Sequence, residues 1–143
     1  MGRRFFAPEV IQTSAMDCGP ASLKCLLEGF GIGVSYGRLR EACQTDVDGT
    51  SIDTLEEVAN ELGLECEQVM VPVDHLLLPE TNAMPSIAVV RLPSGATHFV
   101  VLWRNSAGLV QLMDPATGRR HMAPARVLEN LYVHEHKMPA AAF

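Results

Sequence analysis

Gln12-Thr-Ser-Ala-Met-Asp-Cys18-Gly-Pro-Ala-Ser22 is the stretch of this 143-residue sequence that says most about its fold. Residues 19–30 predict an amphipathic helix, because apolar side chains recur at Leu23, Leu26, Leu27 and Phe30. Pro20 suits the first helical turn, where its missing N–H costs nothing. Cys18 therefore stands at a helix start, where free amides and the helix dipole favour a thiolate over a thiol. It is the one cysteine whose local sequence predicts reactivity.

The remainder of the chain predicts helices first and strands afterwards. A second helix over 36–42 follows Ser35, and a third begins at the capping box around Ser51 and ends at Gly63. Beyond Gly63 the apolar pattern becomes strand-like in five runs separated by Pro and Gly: 64–71, 86–92, 97–104, 109–114 and 131–134. This order predicts the α+β class, with an antiparallel sheet. The chain length favours one compact domain with a substantial core.

Two of the predicted strands carry a histidine and an aspartate that can meet. If a three-residue loop over 105–107 joins the strands, Arg104 faces Gly108, and His98 lies directly across from Asp114 on one face. A four-residue loop instead places Asp114 opposite Phe99, on the wrong face. The pairing is thus plausible without being forced by the sequence. Pro115 is consistent with a strand that ends at a functional rim.

Charge and composition exclude several classes of protein. The net charge is −6, and no run of Lys or Arg is present to follow a phosphate backbone, so no nucleic acid partner is expected. The longest apolar runs are too short to cross a bilayer, and the N-terminal residues lack the apolar core of a secretory signal. The expectation is a soluble, cytoplasmic protein. The four cysteines show no Cys-x-x-Cys pair, so no metal and no cofactor is expected, and three of them are predicted to be small buried hydrophobes: Cys25, Cys43 and Cys66.

Four residues supply the roles that cysteine nucleophilic catalysis requires. Cys18 offers the thiol, His98 a base, Asp114 an acid that orients the base, and Gln12 an amide that can donate to an oxyanion. Taken alone, His98 and Asp114 are more often structural residues, but their order and topology together suit one mechanism. Three residues that flank the nucleophile and the base are candidates for substrate binding: Met16, Asp17 and Thr97. For Met16 and Asp17, a role in local packing is an equal alternative.

These motifs resemble the bacteriocin-processing, double-glycine leader peptidases, which are papain-like cysteine peptidases usually found at the N-terminus of peptide exporters of the ATP-binding-cassette class. The resemblance covers Val10 to Tyr132 and rests on motifs that occur in order: Gln12-x5-Cys18, Asp17-Cys-Gly-Pro-Ala-Ser-Leu23, Leu39-Arg40, Asp48-Gly-Thr-Ser51, Leu62-Gly63, His98-Phe-Val-Val101 and Asp114-Pro-Ala-Thr-Gly118. It implies that Cys18 is the nucleophile, His98 the base, Asp114 the orienting acid and Gln12 the oxyanion donor.

The resemblance also implies a fold, a reaction and partners. The fold would have N-terminal helices packed on a C-terminal antiparallel sheet, with residues 1–9 as an extension, 10–135 as the peptidase domain and 136–143 as a tail or truncated linker. The reaction would be cleavage after a Gly-Gly or Gly-Ala pair. The partners would be a precursor peptide with an amphipathic helical leader and the transmembrane and ATP-binding domains of an exporter, which would place a fused domain at the cytosolic face of the membrane. Some relatives lack the cysteine, so a non-catalytic leader-binding module is the alternative function.

Overall fold

The computed structural model describes residues 5–43, 51–68, 84–91, 97–106, 108–124 and 126–127. A single 3-10 turn, Ala15–Asp17, leads into helix α1, Cys18–Gly29; α2 spans Tyr36–Ala42 and α3 spans Ile52–Glu61. The strands β1, β2, β3 and β4 span Ser86–Arg91, Thr97–Ser106, Leu109–Asp114 and Gly118–Met122, and they form one antiparallel sheet in sequence order. The predicted α+β class is confirmed.

Each helix begins at a serine cap or directly after a capped turn. The Ser35 side chain accepts a hydrogen bond from the Arg38 amide at 3.2 Å, and Ser51 does the same for Thr54 at 3.2 Å. These bonds satisfy amide donors that the first helical turn leaves free. Gly63, with a φ of 112°, ends the third helix in a conformation that favours glycine. The predicted starts of α2 and α3 are therefore confirmed.

Helix α1 lies between the sheet and the other two helices. On one side its Ala21, Cys25 and Leu26 pack against residues of β2 and β3, namely Val101, Trp103 and Met113. On the other side its Leu23 and Leu27 pack against α2 and α3 through Leu39, Leu55 and Val58. Because α1 shares both clusters, its first turn is held rigidly relative to the sheet. This fixes the position of Cys18.

Close packing of α1 on the sheet depends on one glycine. A Cβ atom added at Gly29 would lie 2.1 Å from Cη2 of Trp103, which is far inside van der Waals contact. Trp103 is fully buried, so the indole cannot move aside without opening the core. The glycine therefore sets how closely the helix approaches β2.

The hairpin between β2 and β3 differs from the prediction. Ser106 pairs with Leu109, so the turn contains two residues. The prediction of a three-residue turn that places His98 directly across from Asp114 is therefore wrong. The two-residue turn alone would place Asp114 across from Val101, on the face that His98 does not share. A β-bulge between Leu102 and Arg104, with Trp103 as the extra residue, shifts the register by one. If the observed register continues by one residue, Asp114 lies across from Val100. Val100 is two residues from His98 on β2, so Asp114 is a diagonal neighbour of His98 on the same face of the sheet.

Several other expectations are corrected or fall outside the described residues. Residues 64–68 do not form the predicted strand, and β4 was not predicted. Cys25 and Cys43 are buried as expected, but Cys66 is only half-buried. The predicted strand over 131–134 and the proposed tail over 136–143 lie outside the described residues, and the proposed extension over 1–9 is described only from residue 5, so the domain limits stay predictions. None of the helices described is long and apolar enough to cross a bilayer.

Candidate active site

Cys18 is the first residue of α1 and lies beside the start of β2. Burial raises the pKa of Cys18, but hydrogen bonding to the His98 side chain and to the Phe99 backbone, together with the charge of His98, holds the pKa below the ordinary value for a thiol. Burial raises the pKa of Cys25 to about 12 and that of Cys43 to about 11. Burial also raises the pKa of Cys66, so Cys18 is the one cysteine of the four whose pKa is lowered.

His98 joins the cysteine to a carboxylate. Its Nε2 atom lies 2.7 Å from Oδ1 of Asp114, and the ring is 6% exposed. The hydrogen bonds to Asp114 and Cys18 raise the pKa of His98 to about 9, against the opposing effect of burial. Burial raises the pKa of Asp114, but hydrogen bonds from His98 and from the Ala116 amide, at 2.9 Å, lower it overall. The carboxylate is thus ionised and stabilises a protonated imidazole.

The two imidazole nitrogens can have separate roles. Because Asp114 occupies Nε2, the remaining nitrogen, Nδ1, is the one left to exchange a proton with Cys18. A raised pKa at the histidine and a lowered pKa at the cysteine both favour transfer of the thiol proton to the ring. The resulting thiolate and imidazolium are the nucleophile and the acid that covalent acyl transfer requires.

Gln12 is brought to the same end of the sheet through its backbone. Its amide donates a hydrogen bond of 2.8 Å to the carbonyl of Pro115, the residue after Asp114. The side-chain Oε1 of Gln12 is buried, and no described residue hydrogen bonds to it. The side-chain oxygen is therefore not committed to a partner within the described residues, and the segment that follows leads directly to Cys18.

Asp17, predicted as a substrate-binding residue, is fully buried. Its Oδ1 accepts a hydrogen bond of 3.0 Å from Nε of Arg40, and its Oδ2 accepts one of 2.9 Å from Oγ1 of Thr13. Both carboxylate oxygens are engaged inside the protein. The structure therefore favours local packing, the alternative left open for Asp17, because a short polar side chain beside a nucleophile can turn inward as readily as outward.

Arg40, Thr13 and Tyr36 were not assigned to the site from the sequence. Arg40 and Tyr36 lie four residues apart on α2, a spacing that puts both on one face of a helix. That spacing was readable, but nothing in the sequence indicated which element the face would contact. Met16 is 38% exposed beside the nucleophile and remains a candidate for substrate contact. Thr97 opens β2 beside His98, and its side chain lies outside the described part.

The described residues contain no cluster of three or more His, Cys, Asp or Glu side chains suited to a metal ion.

Residues 7–132 match the model of the Peptidase C39 family. The chain is 31% identical over 117 residues to the transport/processing ATP-binding protein ComA of Streptococcus pneumoniae, covering 82% of this chain and 16% of the relative. It is 27% identical over 110 residues to the lactococcin-G-processing and transport ATP-binding protein LagD of Lactococcus lactis, covering 77% of this chain and 16% of the relative. The chain thus spans about a sixth of the length of these two relatives.

Solved structures share the fold. The peptidase domain of Streptococcus ComA, described as a bifunctional ABC transporter involved in a quorum-sensing pathway, matches with a TM-score of 0.75 at 25% identity, covering 85% of this chain and 90% of that one. A double glycine motif protease from an AMS/PCAT transporter, solved in complex with the leader peptide, matches with a TM-score of 0.76 at 24% identity, covering 91% of this chain and 88% of that one.

Proposed function

The chain belongs to the Peptidase C39 family, and on that basis we propose that it is a cysteine endopeptidase that removes leader peptides from secreted peptide precursors by cutting after a Gly-Gly or Gly-Ala pair. The observation that carries the proposal is that His98 is hydrogen bonded to Asp114 at 2.7 Å and also lowers the pKa of Cys18. A thiol of lowered pKa is thus paired with an imidazole of raised pKa, which is the condition for a nucleophilic thiolate near neutral pH.

In the proposed mechanism, the Cys18 thiolate attacks the carbonyl carbon of the final glycine of the leader. The Gln12 side-chain amide and a backbone N–H near Cys18 donate hydrogen bonds to the oxyanion that develops. Protonated His98 gives its proton to the leaving amine, and the peptide bond breaks to leave an acyl-enzyme. His98, now neutral and oriented by Asp114, then takes a proton from water, which attacks the thioester and releases the leader with a free carboxylate.

The proposed specificity for small residues has a simple physical basis. A narrow channel that admits only backbone and hydrogen atoms rejects every larger side chain by steric clash. Such a channel supplies little binding energy, so the affinity for the precursor must come from the upstream leader. An amphipathic leader helix would supply it by burying an apolar face in a groove.

We propose a groove beside α3 as the docking surface for that helix. A cavity of about 350 Å³ lies between α1, α3 and the start of β1. Its lining combines apolar residues such as Ile87 with three glutamates: Glu56, Glu65 and Glu67. Apolar and acidic lining residues together suit an amphipathic helix that also carries basic side chains. Ile52, which is 40% exposed, contributes to the lining.

A matched pair of variants tests this docking surface. Ile52→Glu should raise KM for a full precursor and leave kcat nearly unchanged, because it alters binding remote from the reacting bond. Leu109→Glu is the control, since Leu109 is 43% exposed at the β2–β3 turn, outside this groove. Equal KM values for the two variants would remove the groove from the proposal without affecting the catalytic assignment.

The transporter relatives support a further part of the proposal. We propose that the domain works beside the transmembrane and ATP-binding domains of a peptide exporter, at the cytosolic face of the membrane, where the precursor is made. The non-catalytic alternative retains the fold and the groove but needs no reactive thiol. Alkylation of Cys18 separates the two, because a binding module would still support export of the precursor after the thiol is blocked.

Cleavage of three substrates tests the proposed reaction. The protein is mixed with a precursor peptide encoded beside its gene, and the products are identified by mass. Replacing the final glycine of the leader by valine should abolish cleavage, whereas alanine should only slow it. Removing the upstream leader helix should raise KM strongly. Cleavage of the valine substrate as fast as the glycine substrate, or of a leader-free peptide as efficiently as the precursor, would contradict the double-glycine assignment and leave a general cysteine hydrolase.

A further inference from the structure

Helix α2 reaches the catalytic segment with two side chains that lie one turn apart. The Tyr36 hydroxyl accepts a hydrogen bond of 3.0 Å from the backbone amide of Thr13, and Nε of Arg40 donates one of 3.0 Å to Asp17. Thr13 and Asp17 are also joined to each other, at 2.9 Å between Oγ1 and Oδ2. All three contacts fall between Gln12 and Cys18. The short stretch that links the proposed oxyanion donor to the proposed nucleophile is therefore held from α2.

The Asp17 carboxylate needs compensation. It is fully buried, and a buried carboxylate is costly unless it is paired and hydrogen bonded. Burial raises the pKa of Asp17, but hydrogen bonds from Thr13 and Arg40 and the charge of Arg40 lower it overall. The group is thus an ion, and it immediately precedes Cys18 in the chain. An uncompensated negative charge at this point would oppose formation of the thiolate.

We propose that Arg40 is a positioning residue that neutralises the buried Asp17 carboxylate and, together with Tyr36, fixes the segment between Gln12 and Cys18. This inference rests on the proposed role of Cys18 as the nucleophile. The other charges near the site come from the sheet: His98 on β2 acts on the thiol, Asp114 on β3 acts on His98, and Arg120 on β4 acts on Asp114. None of these groups is altered in the variants below.

The test measures the rate at which iodoacetamide alkylates Cys18 as a function of pH, with the modified cysteine identified by peptide mapping. Arg40→Gln leaves the Asp17 charge unopposed and should raise the pKa of Cys18, slowing alkylation near pH 7 by about three- to tenfold, the range for one charge acting through a medium of high to intermediate dielectric constant. Asp17→Asn leaves the Arg40 charge unopposed and should shift the pKa in the opposite direction. Arg40→Lys keeps the charge and should stay near the parent value.

The double variant Asp17→Asn/Arg40→Gln should return the pKa of Cys18 close to that of the parent protein, because both charges are gone. Damage to the fold would shift the pKa of Cys18 in the same direction in all variants. Opposite pKa shifts in the two single variants, with recovery of the parent pKa in the double variant, therefore identify a charge effect. Arg38→Gln is the matched control, since Arg38 is an exposed arginine on the same helix. Thermal unfolding of each variant confirms that folded protein is compared.

The outcomes separate this inference from the proposed function. If Cys18 is the fastest-reacting cysteine but its pKa is the same in the parent, Arg40→Gln and Asp17→Asn proteins, the role of Arg40 is overturned and the peptidase proposal stands. Failure of the double variant to recover also overturns it. If Cys18 in the parent protein reacts no faster than Cys25 or Cys43, both the proposed nucleophile and the role of Arg40 are lost.

Discussion

Asp114 and Asp17 are two carboxylates of lowered pKa near the same cysteine, and they have different kinds of partner. Asp114 is hydrogen bonded to His98 at 2.7 Å, and its side chain is 21% exposed. Asp17 is paired with Arg40 at 3.0 Å and has no exposed surface. A histidine can gain or lose a proton near neutral pH, whereas an arginine keeps its charge. The first pair can therefore take part in proton transfer, and the second can only fix a charge and a position.

The comparison shows that the partner decides the role of a carboxylate. Both carboxylates are hydrogen bonded twice, and both lie within one or two contacts of the nucleophile. Burial and lowered pKa do not distinguish them. The four predictions below test whether the His98 side of the site carries the chemistry and the Arg40 side carries the geometry.

The largest expected effect separates the two partners. His98→Ala should reduce kcat/KM by at least about 10³-fold, because it removes both the base and the acid of the proposed mechanism. Cys18→Ala should leave no activity. Arg40→Gln should cost only about tenfold at pH 7, through the smaller thiolate fraction. Steady-state cleavage of one precursor by all three variants measures this, and equal losses for His98→Ala and Arg40→Gln would abolish the distinction.

The next effect concerns the amide on the segment that Asp17 holds. Gln12→Ala should lower turnover by about 10² to 10³-fold with little change in the affinity for the leader, because an oxyanion contact strengthens only in the transition state. Gln12→Glu is a useful companion, since it keeps the size of the side chain and removes its donor. Unchanged turnover in Gln12→Ala would take this residue out of the site and leave its backbone bond to Pro115 as its function.

Asp114→Asn should retain much of the activity at pH 7, because an amide oxygen can still accept a hydrogen bond from the imidazole. The pH profile should nevertheless change. The active form contains protonated His98, so activity falls as pH rises through the pKa of about 9. Loss of the carboxylate, the largest cause of that raised pKa, should move this alkaline limb to lower pH. Asp17→Asn should leave the limb where it is, and a shift of equal size in both variants would contradict the assignment of roles.

The smallest effect comes from the hydrogen bond between Thr13 and Asp17. Thr13→Val removes the donor with little change of shape and should lower the free energy of unfolding by about 1 kcal/mol, with a loss of turnover below about tenfold. Thr13→Ser keeps the hydroxyl and is the control. Denaturant unfolding and cleavage rates together test this, and full activity and stability in Thr13→Val would show that Tyr36 and Arg40 hold the segment without it.

The chemistry-bearing residues were predictable because each follows from a local pattern. The position of Cys18 depends on the helix start, and the spacing of apolar residues defines that start within one residue. His98 and Asp114 lie on adjacent strands whose apolar runs are clear, and the confirmed strand Leu109–Asp114 matches its predicted limits. The α+β class follows in the same way from the change of apolar period after Gly63.

The parts that could not be predicted depend on contacts between distant elements. The inward orientation of Asp17 is decided by Arg40, which lies 23 residues further along the chain on a different helix. Strand β4 consists of Gly-Arg-Arg-His-Met, and its three central side chains are exposed, so it lacks the alternation of polar and apolar residues that identifies a strand. The hairpin register depends on a bulge that no local sequence signal indicates.

That bulge at Trp103 has a consequence for how this hairpin can change during evolution. The turn has an even number of residues, and the one extra residue in β2 brings Asp114 onto the same face as His98. Whether the two side chains share a face therefore depends on whether the number of residues between them is odd or even, and not on how large that number is. Insertions of two residues at the turn should be tolerated as longer hairpins with an intact site. An insertion of one residue at the turn would move Asp114 to the opposite face from His98 unless the bulge is lost at the same time. Loss of the bulge would disturb the core, because Trp103 packs against Gly29. As long as the bulge is kept, the turn can therefore vary in length only in steps of two.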